Sequence, residues 1–427
     1  MTVHDGSPWP MAPLKDIATD FFSGGTPQTG RPEYWAGEIP WTTTAQISGS
    51  CLNQGAKFIS RLGLESSASR IVPSGNLLIG TRVGVGKAAV NTIDVAINQD
   101  ITAAIVRKDQ YDVLFLAYAL RTKELQAEFD SRKRGATIKG IPREDLLAIQ
   151  VPRPSLHEQR KIARLLRSIE RLFELEERRV RALAALKAAT MAKLFREGLR
   201  GEPLKQTEIG EIPESWEVVR IGDHCTRMNY GTSQRCTTQL ATTPVLRIPN
   251  IIHGTIETSD LKYAQPGDLT DKEIEKLRLE PGDLLFVRTN GNREYTGRCA
   301  VYEGRPEGAL FASYLIRVRL SGDVLVPHFV QQFLSEVGRE QIAGRANPAA
   351  DGKFNIDTSI LRSLAIPRPP KSEQQEIISI LAALDERRRL AQEKSAALQR
   401  LFSSLLHALM TGAIRVKNLD MAEVSHA

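Results

Sequence analysis

The chain contains one sequence pattern twice, about half a chain apart. The segment Val151–Ile162 returns 215 residues later as Ile366–Ile377, with the sequence Val/Ile-Pro-Arg-Pro followed by Glu-Gln and Ile. A repeat that keeps the order of several blocks while their offsets drift indicates two copies of one module with loop insertions. We therefore expect two similar folded parts. The other matching blocks are Trp9–Asp16 with Trp216–Asp223, Ser74–Ile79 with Pro281–Phe286, and Gly86–Ala88 with Gly297–Cys299.

Each copy begins with a mixed region and ends in a proline-rich hinge. Short β-like runs punctuated by Gly and Pro predict strands in the mixed region. Because proline is tolerated only in the first turn of a helix, the hinges Val151–Pro154 and Ile366–Pro370 predict helix starts. Ser372, three residues before Gln375, fits a capping box. The predicted strands lie at Asn76–Thr81, Ile101–Val106, Asp283–Val287 and Tyr314–Leu320.

A long helix is predicted after each hinge. Apolar residues recur there at alternating spacings of three and four, which is typical of a coiled-coil seam. No Pro or Gly interrupts 155–197 or 372–411, and roughly 40 residues at about 1.5 Å each would span roughly 60 Å. The predicted seam consists of Ile162, Leu166, Ile169, Phe173, Val180, Leu183 and Leu194 in the first copy, and of Ile377, Leu381, Leu384, Ala391, Leu398, Phe402, Leu405 and Leu409 in the second.

The two predicted helices match, which favours packing on each other over packing of each on its own domain. The long stretch 198–370 between them leaves room for an antiparallel pair. Lys187 and Thr190 stand where the second copy has Phe402 and Leu405, so we expect an asymmetric pair. Other polar residues that interrupt the stripes are Glu176, Arg388 and Ser395.

The resulting fold class is α+β, with two mixed globular domains separated by two long helices packed as an antiparallel coiled coil. The predicted segments are a first domain at 1–154, a helix at 155–200, a second domain at 201–370, a second helix at 371–415 and a tail at 416–427.

Composition limits the class of protein. The 427 residues include 57 Lys and Arg against 50 Asp and Glu, a net charge of +7, and 41% are apolar. This balance excludes a disordered chain, and the length suggests two or three domains. Four cysteines without a close pair fit a reducing compartment. With no signal sequence and no apolar run near the ~20 residues of a membrane span, we expect a soluble cytoplasmic protein with a modest preference for polyanions.

No defensible active site or metal site is predicted. Gly80–Ala88 resembles a phosphate-binding loop but has one residue too many, and Ala88 stands where Ser or Thr should bind magnesium. A tight glycine-rich turn is the better interpretation. Three other groups of residues do not match the motifs that they resemble. Asn347–Ala350 does not match a methyltransferase motif, and Asp351–Lys353 does not match a nuclease site. The residues His224, Cys225 and Cys236 lack the spacing of zinc ligands.

Basic and amide side chains cluster in turns of both mixed domains. Arg and Asn can contact base edges in the major groove, and Lys and Arg neutralise phosphates. The alternative is ordinary solvated loops. Mixed charges along the first helix instead suggest a solvated or protein-docking face. The candidate DNA-binding residues are Arg82, Lys87, Arg132, Lys133, Arg134 and Lys139 in the first copy, and Arg288, Asn290, Asn292, Arg293, Arg298, Arg345, Lys353 and Asn355 in the second.

These features together resemble the specificity subunit of type I restriction–modification enzymes. The doubled hinge with Glu-Gln carries the resemblance, as do the paired helices, their endings at Leu194–Gly198 and Leu409–Gly412, and the domain openings at Trp9 and Trp216. The likeness extends from about residue 9 to about residue 416.

The resemblance implies two target recognition domains that each recognise half of a bipartite, asymmetric DNA site. It also implies that the helices set the gap and dock two modification (methyltransferase) subunits, with restriction subunits completing the complex. The chain would then be non-catalytic and hold no cofactor, and S-adenosylmethionine, ATP and Mg would belong to the partner subunits. Three alternatives remain open: a stand-alone nucleic-acid-binding scaffold, a fused methyltransferase or nuclease with an unrecognised active site, and a specificity factor for modification that has no restriction subunit.

Overall fold

The computed structural model describes residues 9–135, 139–239, 243–252, 254–265, 267–349 and 352–416. It divides into two compact units. The first unit comprises 1–178 and 392–427, and the second comprises 179–391. Both boundaries fall within the long helices, so each unit contains one mixed domain and half of each helix. The helices are therefore integral parts of the two units.

The first unit is built on two sheets. The larger has the order β2-β10-β7-β8-β4, the smaller has the order β5-β3-β9-β6, and β1 pairs with β11. Its strands are β1 (Met11–Pro13), β2 (Ala18–Ser23), β3 (Ile39–Thr42), β4 (Cys51–Leu52), β5 (Lys57–Ile59), β6 (Arg70–Val72), β7 (Leu77–Gly80), β8 (Ala88–Asn91), β9 (Val95–Ile97), β10 (Ile101–Val106) and β11 (Gln150–Pro152). Its helices are α1 (Arg61–Glu65), α2 (Val113–Leu120), α3 (Lys123–Arg132) and α4 (Arg143–Ala148), followed by the long helix α5 (Leu156–Glu197).

The second unit repeats this plan. Its larger sheet has the order β15-β24-β20-β22, and its smaller sheet has the order β19-β16-β23. Its strands are β12 (Leu204–Thr207), β13 (Gly210–Pro213), β14 (Glu217–Arg220), β15 (Cys225–Tyr230), β16 (Thr243–Leu246), β17 (Ile251–Ile252), β18 (Thr255–Ile256), β19 (Lys262–Ala264), β20 (Leu284–Val287), β21 (Thr289–Asn290), β22 (Cys299–Val301), β23 (Leu310–Phe311), β24 (Leu315–Leu320), β25 (Asn347–Pro348), β26 (Phe354–Asn355) and β27 (Ala365–Arg368). Its helices are α6 (Asp271–Leu277), α7 (Pro327–Ser335), α8 (Arg339–Ala343), α9 (Thr358–Arg362) and the long α10 (Lys371–Met410).

The two units share connectivity as well as architecture. The run β2-β10-β7-β8 in the first corresponds to β15-β24-β20-β22 in the second, and β1 with β11 corresponds to β14 with β27. In each smaller sheet one pair is parallel, β3 with β9 and β16 with β23. The four predicted strand runs are β7, β10, β20 and β24. Strands β7 and β20 are buried along their full length, as expected for strands covered on both faces.

The long helices begin close to the predicted positions, but the serine N-cap lies in the other copy. Ser155 precedes α5, and its Oγ accepts a hydrogen bond from the backbone N of Glu158 at 3.3 Å. Ser372 lies inside α10, which begins at Lys371. An N-cap residue directly precedes the helix that it caps, so the prediction of a capping box at Ser372 is wrong. No helix in the described part of the chain is long and apolar enough to cross a membrane.

In the first unit, the beginning of α5 packs against the end of α10. Ile162 and Leu166 share an apolar cluster with Leu409, and Phe402 and Leu405 pack at its edge. Glu158 pairs with Arg415, while further along α5 Glu176 pairs with Lys394 at 2.7 Å. Partner numbers fall as α5 numbers rise, so the two helices run antiparallel. The same cluster includes Phe115 and Tyr118 of α2, so α5 packs on its own domain as well.

In the second unit, the end of α5 packs with the beginning of α10. Leu194, Ile377 and Leu381 lie in one core cluster around the fully buried Trp216. Lys187 donates to the Asp385 carboxylate at 2.6 Å, so this polar seam residue is paired. The helix pair is therefore asymmetric at Lys187, as expected, and the ion pair with Asp385 replaces an apolar contact there. In the first unit Ser395, another interruption of the stripe, donates to Glu177 at 3.0 Å. The remaining seam residues are half-buried (Phe173, Val180, Leu183, Leu384, Leu398) or buried (Ile169, Ala391).

The repeated Glu-Gln pair connects each helix start to its domain. Gln159 Oε1 accepts from the Asp112 backbone N at 2.9 Å, and its Nε2 donates to two carbonyls, Gln110 and Pro154. Gln374 makes the same three bonds, to Val326 N and to the carbonyls of Val324 and Pro369. Both side chains are fully buried. The motif is therefore a structural joint between helix and domain.

Candidate nucleic-acid interface

A small three-stranded sheet brings the predicted loops of the second unit together. Strand β26 pairs with both β21 and β25, so that Asn355 lies opposite Thr289 on one side and Asn347 on the other. Residues directly opposite in an antiparallel pair project to the same face. Thr289, Asn355 and Asn347 therefore form one row of hydroxyl and amide side chains, which we call the amide row. Such side chains can donate to and accept from base edges.

Arg288 marks the start of this sheet and joins it to the larger one. Its carbonyl accepts from Ile356 N at 3.0 Å, which places the strand Phe354–Asn355 beside the end of β20. Its guanidinium lies 4.7 Å from the centre of the Tyr230 ring. Arg288 also donates to the Ser313 carbonyl at 3.3 Å and is half-buried.

The first unit has a counterpart in the same place. Arg134 and Gly140 form an isolated antiparallel bridge, and Ile141 N donates to the Thr81 carbonyl at 2.8 Å. The bridge between Arg134 and Gly140 corresponds to the pair Asn347 and Asn355 in the second unit. The hydrogen bond from Ile141 to Thr81 corresponds to the one from Ile356 to Arg288. The side chains differ, because this counterpart carries Arg134 and Gly140 where the second unit carries the amides of Asn347 and Asn355, and the exposed Lys139 directly precedes Gly140. Equivalent backbone positions thus present different chemistry in the two units.

The predicted residues of the first unit divide into paired and unpaired cations. Arg134 and Arg132 both approach the Asp145 carboxylate, at 2.8 and 4.0 Å, and Lys133 pairs with Asp130. Lys87 Nζ donates to the Thr44 carbonyl at 3.2 Å. Arg82 lies 3.9 Å from Asp100. Lys139 is exposed and has no hydrogen bond or ion pair with any other described residue.

In the second unit, several predicted residues hold their own loop. Arg293 Nε donates to the Ala343 carbonyl at 2.6 Å, so the guanidinium is committed to the end of α8. Arg345 donates to Ser363 Oγ at 2.8 Å. Arg298 stacks 3.9 Å from the Tyr295 ring centre. The side-chain oxygens of Asn290 and Asn292 each accept a hydrogen bond from the backbone N two residues further along the chain, at 2.9 Å. Lys353 lies at the edge of the hairpin and Asn355 in the amide row.

Hydrogen bonds from Arg339 hold the loop between β21 and β22. Its guanidinium donates to the carbonyls of Glu294 and Thr296 at 2.8 and 2.5 Å, and burial lowers its pKa. Gly297 has φ +77°, and a Cβ there would lie 2.1 Å from Ile342 Cγ2, so this repeated glycine is required by conformation and by space. Gly86, its equivalent, has φ +88°.

Sequence reasoning missed the aromatic part of this surface. Tyr230, Tyr295 and Tyr314 are all exposed near the predicted arginines, Tyr314 at 58%. In the first unit Trp35 carries a similar contact, with Lys57 Nζ 5.1 Å from its ring centre. A signal was present, since Tyr295 lies between Arg293 and Arg298 in the sequence. Stacking on cations is one way in which aromatic rings take part in nucleic-acid binding.

The structure shows where the segments that resembled phosphate-binding and metal-binding motifs lie in the fold. Gly80–Ala88 connects the antiparallel strands β7 and β8, which differs from the strand–loop–helix of a phosphate-binding loop. No cluster of three His, Cys, Asp or Glu side chains in the described ranges could hold a metal ion, and His224, Cys225 and Cys236 form none. Ala350 and Asp351 lie outside the described residues, so the structure does not test their two motifs.

Comparison with known proteins agrees with this architecture. A family model described as "Type I restriction modification DNA specificity domain" matches residues 6–184 and 213–400. The type I restriction enzyme MjaIX specificity subunit of Methanocaldococcus jannaschii is 24% identical over 425 residues, covering 96% of this chain and 94% of that protein. The MjaX specificity subunit of the same archaeon is 30% identical over 224 residues, so the match spans only 52% of either protein. The solved S subunit of the M. genitalium type I restriction–modification system has the same fold, with a TM-score of 0.61, 14% identity and coverage of 96% of this chain and 98% of that one.

Proposed function

The chain belongs to the type I restriction–modification DNA specificity family, and we propose that it is the sequence-recognition subunit of such a system. Each unit would recognise one half of a bipartite DNA site through the surface that contains the amide row or its counterpart. The observation that carries this proposal is the duplication itself. The same backbone arrangement occurs in both units, but the side chains differ between the amide row and its counterpart. This difference fits two different half-sites and therefore an asymmetric target.

The two surfaces suit different kinds of contact. Lys139 and Arg134 favour phosphates in the first unit, since cations there face outward from a loop. The amide row favours base edges in the second unit, because amides can make paired hydrogen bonds with adenine. Recognition in both cases would be supported by stacked cation–aromatic pairs.

The long helices would hold the two surfaces at a fixed separation and dock two modification subunits. Methyl transfer from S-adenosylmethionine would take place on those subunits, and ATP and Mg would serve the restriction subunits. The chain itself would be non-catalytic and act in the cytoplasm. The relatives' names support this assignment, since they are specificity subunits of type I restriction enzymes.

The first experiment is modified-base sequencing of genomic DNA from cells that produce this chain with a methyltransferase subunit from the same system. Cells without this chain are the control. A split, asymmetric motif methylated on both strands and absent from the control is the expected result. Methylation by the purified chain alone would instead establish a fused enzyme. Tight DNA binding without capture of any methyltransferase would favour a stand-alone scaffold.

The spacer role is tested by changing helix length. One extra heptad in both α5 and α10 preserves the seam and adds about 10 Å of rise. Since base pairs are about 3.4 Å apart along DNA, the unread gap should lengthen by about three base pairs. The control is a variant with one substitution at an exposed position of each long helix, which leaves the helix lengths and the seam unchanged. An unchanged gap would contradict the spacer role and leave the recognition role standing.

A further inference from the structure

A buried carboxylate on α5 connects the helix to the first recognition domain. Glu170 is 6% exposed and lies under the segment that leads into β4. It accepts from the Ser50 backbone N at 3.2 Å, from Ser50 Oγ, and from Tyr118 OH at 2.7 Å. Arg121 and Arg167 each donate to it at 2.9 Å. Five donors thus converge on one side chain, which we call the Glu170 node.

The node fixes a wall of an open groove in the first unit. The groove has a volume of about 340 Å³. Gly49 lies against the node, since a Cβ there would be 3.7 Å from Glu170 Oε1. On the opposite side, Gln126 donates to the Gly86 carbonyl at 2.8 Å, and Lys87 reaches back to Thr44. The groove is lined by Ile47, Ser48, Gly49, Gly86, Lys87, Ala88, Arg121 and Gln126.

This arrangement links the helix to a predicted DNA contact. Displacement of Ser50 would move the Thr44–Leu52 segment, and with it the carbonyl that holds Lys87. Arg121, the second cation of the groove, is oriented by the same carboxylate. The node therefore sets the positions of two groove cations at once.

The second copy differs at the equivalent position. Asp385 stands at the repeat position of Glu170, and its described ion pairs are with Lys187 and Arg388, both on the long helices. The joints that recur in both units are those of the Glu-Gln motif. Among the described residues, the connection made by Glu170 therefore occurs in the first unit and has no counterpart at Asp385.

We propose that Glu170 is a positioning residue for the recognition of one half-site: it aligns the Lys87 and Arg121 groove of the first domain with the helix that spaces the two half-sites. The proposal rests on the proposed function. The groove would be occupied by the DNA backbone and adjacent bases of the half-site that the first unit recognises. Loosening the node should relax selectivity in that half-site and leave the other unchanged.

The test uses the complete chain with its methyltransferase subunits and a library of DNA sites randomised in both half-sites. Glu170→Gln removes the charge. Because this variant could fold poorly, the double variant Ser50→Ala with Tyr118→Phe removes two donors and keeps the charged pair with Arg121. Ser395→Ala is the matched control, since it removes a buried hydroxyl that donates to Glu177 of the same helix and touches no recognition loop.

Both node variants should lower discrimination at one half-site by about ten-fold or more, the range of a lost base-pair contact. That half-site should be the one opposite to the half affected by Asn355→Ala. Hydrogen exchange at the Ser50 amide should also rise, with no change in the second unit. The control should leave both half-sites as in the wild type.

Uniform loss over all sites, relaxation of both half-sites, or full discrimination despite faster exchange at Ser50 would overturn the proposal. Failure of the wild-type chain to direct methylation would count against the proposed function instead. In that case, unchanged exchange across Thr44–Leu52 in Glu170→Gln would still refute the positioning role. The two failures are therefore distinguishable.

Discussion

Replacement of the buried glutamines of the repeated motif should destabilise the unit to which each belongs. Gln374 is fully buried and satisfies one backbone N–H and two carbonyls, at distances of 2.8, 2.8 and 3.0 Å. Gln374→Ala leaves all three groups without this partner. At about 1 kcal/mol for each lost hydrogen bond, the lower end of the cost for a buried unpaired group, the free energy of unfolding should fall by about 3 kcal/mol.

The loss should be visible in thermal unfolding. For a cooperative unit of about 200 residues, 1 kcal/mol corresponds to roughly 2–4 °C, so the Tm of the second unit should fall by about 6–12 °C. Gln159→Ala should have the same effect on the first unit, where the three bonds recur. Gln375→Ala is the control, since it removes the same side-chain type from the next, exposed position and should change stability by less than about 0.5 kcal/mol.

A leucine variant separates the hydrogen bonds from the packing. Gln374→Leu fills a similar volume without donors or acceptors, so it should remain about 2 kcal/mol or more below the wild type. Hydrogen exchange at the Val326 amide should increase in both variants. A Gln374→Leu chain as stable as the wild type, with Val326 still protected, would refute the interpretation of this motif as a hydrogen-bonded joint.

Three further predictions concern other buried or exposed polar groups. Arg317→Met should cost the second unit about 3 kcal/mol in urea unfolding, because Asn229 and the carbonyls of Lys276 and Arg278 lose their donor; an equally stable variant would contradict this. Burial opposes ionisation of Glu170, but hydrogen bonds from Ser50 and the Arg121 charge lower its pKa below the ordinary 4.5. Its stabilisation is therefore complete above that value and lost as pH falls through the folded-state pKa, so the stability difference between wild type and Glu170→Gln should shrink below about pH 4.5; a pH-independent difference would argue against it. Asn355→Ala should relax base preference in one half-site, whereas Lys139→Ala should weaken binding to all sequences equally and reduce its salt dependence; methylation of randomised sites and salt titrations would distinguish the two.

The sequence predicted the parts of the fold that depend on periodicity and repetition. The helix bounds were recovered because proline marks their starts and an uninterrupted heptad pattern fixes their length. The strands β7, β10, β20 and β24 were recovered because short apolar runs between glycines and prolines have few alternatives. The pairing of the helices followed from the match between the two seams.

Long-range pairing of polar groups could not be predicted in this way. The charged residues of α5 alternate in sign, which suggested a solvated face, yet Glu158, Glu170 and Glu176 are buried. Their partners lie far away in sequence, and Arg415 follows Glu158 by 257 residues. A local pattern contains no information about such partners. The same limitation applies to the contact of Arg293 with the Ala343 carbonyl, whose partner lies 50 residues away; the DNA contact expected of Arg293 stays a prediction.

The buried polar groups suggest how one module can serve two recognition tasks. Joints that repeat in both copies, such as Gln159 and Gln374, preserve the attachment of domain to helix whatever the loops contain. The amide row and its basic counterpart occupy a position whose backbone hydrogen bonds are fixed by Arg288 and Thr81 carbonyls, so their side chains can change without disturbing the core. In the second unit, the residues that hold the domain to the helix and those proposed to contact bases are thus different. Replacement of the amide-row residues Thr289, Asn347 and Asn355 by those of a related chain should therefore transfer one half-site while the Tm stays within the range of surface substitutions, and a fall in Tm as large as that of Gln374→Ala would contradict this separation.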